Sequence, residues 1–199
     1  AIHYEHGDLK LASKYVQNGL TYIKEQSSTD ILIAAFETRY KVRVAEDSLE
    51  EGIGILKDGI KWSDKAKLIR LKLSLVDDLI SLLVIHDRLE EAESYAAIYK
   101  INYSKNEGYD AALSEHRIAS KSIIHLQLAH GKYDNAINIL HQLIDRSRQR
   151  TQMRQLANWL MLISVAYFKA NDKKNALSYI EESLDIARTR NYVRMYIDE

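Results

Sequence analysis

The sequence predicts an all-α, right-handed superhelical solenoid of about five helix-turn-helix repeats, and three observations lead there. First, five polar segments resemble one another: HGDLKLA, EDSLEEG, HDRLEEA, HGKYDNA and NDKKNAL. Their small residues Ala12, Gly52, Ala92, Ala136 and Ala176 recur at spacings of 40, 40, 44 and 40. Second, the same apolar stripe follows in separate copies. It reads Ile55, Leu56 and Ile60 after Gly52, then Ile139, Leu140, Leu143 and Ile144 after Ala136, then Tyr179, Ile180 and Leu184 after Ala176. Those intervals of three, four, seven or eight residues keep one helical face apolar. Third, the 199 residues include no proline and only seven glycines, which removes most of the turn chemistry that hairpins and sandwiches need.

Each polar segment opens the second helix of a repeat, over 8–26, 48–63, 88–104, 132–148 and 172–190. The small residue stands where two helices joined by a tight turn cross, and a large side chain there forces them apart. The partner helices lie upstream, over 29–46, 67–86, 109–130 and 153–170. Stretches such as LIRLKLSLVDDLISLLVIH and NWLMLISVAYFKA are apolar enough for helices covered on two sides. The repeats are therefore 1–26 (partial), 29–63, 67–104, 109–148 and 153–190, with 191–199 the start of a linker, all within one domain over 1–199. The first second-helix has no upstream partner and the chain opens without methionine. The expectation is a segment from inside a longer array.

Composition narrows the function. Twenty-eight basic and 28 acidic side chains give a formal charge of zero, so no overall field draws this segment to nucleic acid or anionic lipid. Without cysteine there is no disulfide, thiolate catalysis or cysteine-bound zinc, which fits a reducing cytoplasm. No apolar run reaches a membrane span. No GxxxxGK[ST], HExxH or GxSxG pattern is present. Gly52 and Gly54 with Lys57 fall inside a second helix, where glycine permits close helix approach or weakens the helix. His6, His86 and His130 fall in or beside equivalent turns, a helix C-terminal position rather than a metal-ligand spacing. The expectation is a chain that is neither an enzyme nor a cofactor carrier.

Two compositional features remain. Arg146, Arg148, Arg150 and Arg154 crowd the stretch DRSRQRTQMRQ. They read as cations at a helix C-terminus in a solvated linker, with an anionic ligand or acidic partner helix as the alternative. Among thirteen tyrosines, Tyr15, Tyr95, Tyr99, Tyr167 and Tyr179 fall on the core stripes, where an aromatic fills the gap between stacked helices.

ISVAYFKANDKKNALSYIEESLDIA, residues 163–187, resembles a tetratricopeptide repeat, with Tyr167 and Ala176 at its aromatic and small positions. The period exceeds that family's 34 residues. Lengthened repeats with arginine-rich helix ends, together with the ending ARTRNYVRMYIDE over 187–199, are similar to the superhelical domain of the MalT-like activators. These are the large ATP-dependent members of the LuxR family. The resemblance implies a regulatory domain that senses a small-molecule inducer or protein partner, between an upstream nucleotide switch and a downstream helix-turn-helix module. The alternative is a scaffold that grips a peptide segment of a partner.

In such solenoids the first helices line the concave surface. Counting back from each small residue gives the row Glu37, Asp77, Lys121 and Met161, and one turn further Lys41, Ser81, His125 and Val165. Polar side chains recurring on otherwise apolar helices are costly if buried unpaired, which makes these rows the candidate ligand or partner groove.

Overall fold

The computed structural model describes residues 2–22, 27–102 and 120–198. They form ten α-helices and, among the described residues, no strand: α1 (Ile2–Glu5), α2 (Leu9–Leu20), α3 (Thr29–Ala45), α4 (Leu49–Lys65), α5 (Ile69–Ile85), α6 (Leu89–Ile98), α7 (Ser120–Ala129), α8 (Tyr133–Gln149), α9 (Met153–Lys169) and α10 (Lys173–Arg190). A 3-10 turn, Arg194–Tyr196, follows. The chain is an all-α helical repeat solenoid, and no described helix is long and apolar enough to cross a membrane.

A chain without proline and with few glycines makes its turns by one repeated device. One or two residues past a helix the backbone enters the left-handed region, at Gly7 (φ 81°), Asp47 (60°), Asp87 (57°), Gly131 (69°) and Asn171 (65°). The next N–H then donates to the carbonyl five residues back: Ser48 to Arg43 at 3.0 Å, Arg88 to Leu83 at 2.8 Å, Asp172 to Tyr167 at 2.9 Å. Glycine, asparagine and aspartate carry this conformation at least cost, and the two hydrogen bonds of the motif satisfy carbonyls the helix end leaves open. The left-handed positions repeat with the spacing read from the sequence. Lys67, Lys100, Thr151 and Asn191 close second helices in the same way.

The small residues sit at the helix crossings. Ala92 and Ala136 are wholly buried and Ala12 and Ala176 nearly so. A Cβ at Gly52 would come within 2.5 Å of Val44 Cγ2, so α3 and α4 approach as closely as backbone allows. Gly54 meets nothing within 4 Å, so only the first glycine of the pair serves packing. One core cluster joins α3 to α6 around Leu56, Leu71, Leu75, Leu79 and Leu83, and reaches Leu126. A second joins α7 to α10 around Ile124, Leu140, Ile144, Leu160 and Ile163.

Four expectations need adjustment. The helix read over 88–104 ends at Ile98, because Lys100 turns left-handed and Ile101 N–H closes on the Ala96 carbonyl at 2.8 Å. The helix read over 8–26 ends at Leu20, where the Tyr22 N–H closes on the Gly19 carbonyl at 3.0 Å; its positions 23–26, and 109–119 of the helix read over 109–130, lie outside the described residues. The helix α2 does have an upstream partner, the single turn α1, joined to it through Gly7. Tyr15 is 58% exposed and stacks on His3 rather than filling a core gap. Tyr167 and Tyr179 do fill one, stacked 5.5 Å apart beside His141.

Candidate functional site

The helix α5 carries the strongest conflict between sequence and environment. Its stretch LVDDLISLL is buried almost without interruption, and Asp77 and Asp78 lie in the middle, each only 8% exposed. A buried carboxylate is costly unless paired and hydrogen-bonded. Asp77 accepts the Ser122 N–H at 2.8 Å at the start of α7. Asp78 Oδ2 has no partner among the described residues. Burial, the first cause for both, raises the Asp77 carboxyl to about 6, with Ser122, Lys121 and His125 opposing. It raises Asp78 to about 7, where repulsion from Glu37 and Asp77 adds to burial and Lys41 and Lys121 oppose it.

Both aspartates line a cavity of about 850 Å³. Glu37, Lys41 and Tyr40 of α3, Ser74 of α5 and Lys121 of α7 share that wall. Facing residues come from the end of α8 and the start of α9: Arg146, Arg150, Arg154, Asn158 and Trp159. Tyr4 and Glu5 from one end of the chain, and Met195 and Asp198 from the other, complete the lining.

Those ends are held together by a clasp. Tyr4 Oη donates to Asp198 Oδ2 at 2.7 Å, and Val193 N–H donates to the Glu5 carbonyl at 2.9 Å. The Arg194 guanidinium lies 5.3 Å from the centre of the Tyr4 ring and donates to Asp198 Oδ1 at 2.7 Å. Glu5 pairs with Arg154. Burial and the neighbouring Asp198 raise the Tyr4 hydroxyl pKa, so it stays a donor. Residues 191–198, read from the sequence as the start of a linker, are thus packed. Met195 is buried, and Tyr196 Oη lies 2.8 Å from Ser183 Oγ, which donates to the Ala157 carbonyl at 2.7 Å.

Of the residues named from the sequence, Glu37, Lys41, Asp77 and Lys121 line the cavity. Ser81, His125 and Met161 are packed away from it, 1%, 7% and 5% exposed, and Val165 faces elsewhere. Four residues along a helix is one turn plus about 40°, which on α5 and α7 turns Ser81 and His125 of the second row into the packing, whereas on α9 it is the first-row Met161 that is packed and Val165 that is 37% exposed. Asp78 escaped the count, although an Asp-Asp pair inside so apolar a helix is visible in the sequence. The arginine stretch divides. Arg148 makes an exposed inter-helix pair with Glu182, 2.7 Å, whereas Arg146, Arg150 and Arg154 face the cavity. Among the described residues no group of three or more His, Asp or Glu side chains gathers to hold a metal.

A search of curated proteins finds no match, and a search of solved structures finds none. The family description MalT-like TPR region matches residues 1–199. With its lengthened helical repeats and their shared turn chemistry, the chain belongs to the MalT-like TPR family.

Proposed function

We propose that this region is the sensing domain of a LuxR-family transcription regulator, taking a small inducer in the cavity between its repeats and passing the event to neighbouring domains of the same polypeptide. It is a binding module of the cytoplasm, not an enzyme, and makes no direct contact with nucleic acid. The observation that carries the reading is the cavity's construction. Its volume of about 850 Å³ falls within the range that holds small ligands, and its wall includes both ends of the chain. A ligand that prefers the clasped arrangement shifts an equilibrium between clasped and released ends by its difference in affinity for the two. Tyr192 to Asp198 leave the α9–α10 repeat through that clasp, which ties the segment after α10 to α1.

The reading frame around the gene segment tests the assignment. A phosphate-loop module before this region and a helix-turn-helix module after it support the regulator. A frame with neither leaves the peptide-gripping scaffold in its place.

A further inference from the structure

The charge arrangement of the cavity goes further and names the class of ligand; it rests on the reading of the cavity as a ligand site. Several of its charges are already neutralised in pairs, Arg70 with Asp30 at 2.6 Å and Arg154 with Glu5. On the wall built by α3, α5 and α7, three carboxylates, Glu37, Asp77 and Asp78, face two ammonium groups, Lys41 and Lys121. Among the described residues that wall carries one positive charge fewer than negative. The shortage is concentrated at Asp78, which is buried, repelled by Glu37 and left with an oxygen that no described donor reaches. Among the described residues the opposite side presents guanidinium groups, Arg146 and Arg150 at the C-terminal end of α8. A hydroxyl satisfies an acceptor but leaves the repulsion between Glu37 and Asp78 in place. A cation removes both costs, since opposite charge nearby favours the ionised carboxylate.

We propose that the cavity binds a small zwitterion whose ammonium group docks between Glu37 and Asp78 and whose acidic group turns toward Arg146 and Arg150. The docked ammonium holds Asp78 ionised, so binding near neutral pH expels a proton from the site.

Four five-carbon probes of equal length but different charge test this by calorimetry on the whole chain: δ-aminovalerate, cadaverine, glutarate and pentanediol. The expected order is δ-aminovalerate first and cadaverine second, with glutarate and pentanediol at least about tenfold weaker. In buffers of different ionisation heat the binding enthalpy of δ-aminovalerate should differ, reporting the released proton. Asp78→Asn and Glu37→Gln should each weaken that probe about tenfold, while Asp185→Asn, on the exposed side of α10, leaves it unchanged. Circular dichroism of each variant checks that the fold survives. Glutarate or pentanediol binding as tightly as δ-aminovalerate overturns the charge assignment while leaving the cavity a ligand site. Silence of all four probes, or affinity indifferent to both substitutions, overturns it as well, and neither result touches the reading-frame test of the regulator.

Discussion

Asp78→Asn is expected to stabilise the folded chain by about 2–4 kcal/mol at about pH 8 and to change it little near pH 4. The folded carboxyl titrates at about 7, above its ordinary 3.8. Between those values the folded chain keeps a proton that the unfolded chain has released. Stability from this group is therefore complete below about pH 4, falls as pH rises, and levels off beyond about pH 7. Glu37 and Lys41 of α3, Asp77 of α5 and Lys121 of α7 set the local field, and none of them is altered by the substitution. Asparagine has nearly the same shape and no charge to desolvate, so the downward slope should shrink to what Asp77 contributes up to about pH 6. Urea denaturation across the pH range checks this, and superimposable curves for the two proteins sink it. The same substitution should abolish the preference for an ammonium ligand. Gaining stability while losing a site is the trade expected where a buried charge serves binding rather than folding.

Ala92→Leu should cost about 3 kcal/mol, toward the upper end of overpacking effects. Ala92 is fully buried on α6, which packs on α5, and it shares one buried cluster with Leu79, Leu83 and Ala96. A leucine there must push the two helices apart or leave its rotamer wells, and the close approach is fixed on one side by the turn at Asp87. Leu177→Ala, at a position 61% exposed on α10, is the control and should stay within about 0.5 kcal/mol. Thermal melts of the two variants decide: equal melting temperatures contradict the role given to the small residue.

That role was legible in the sequence because it is local. The small residue, the polar turn before it and the stripe after it lie within one helical hairpin, and each repeats. The left-handed turn positions follow from the same segments, since Gly, Asp and Asn are the residues that tolerate them. What stayed hidden depends on the curl of the whole array. Nothing about Tyr4 and Glu5 announces that they meet Val193, Arg194 and Asp198, since that meeting needs the summed rotation of five repeats. The arginines of α8 and α9 are similar: their sequence looks like a charged helix end, and only the closure of the curl turns three of them toward α3 and α5. The groove rows fall between these cases. Spacing from the small residue puts Glu37, Asp77 and Lys121 on the cavity wall but Met161 in the packing, and one turn further Lys41 reaches the wall while Ser81 and His125 are packed. Asp78 was open to sequence reasoning on cost alone, because two adjacent carboxylates inside LVDDLISLL have no packing reason to be there.

If cavity and clasp act as the single unit proposed, a ligand between the walls is felt at the contact of Glu5 with Val193. Amide hydrogen exchange at Val193, whose N–H is held by the Glu5 carbonyl, tests this directly. With δ-aminovalerate at saturation the Val193 amide should exchange about tenfold more slowly than in the free chain, and in Asp78→Asn the same slowing should need about tenfold more of the probe. An unaltered Val193 rate in a chain that calorimetry shows to be loaded would contradict the coupling.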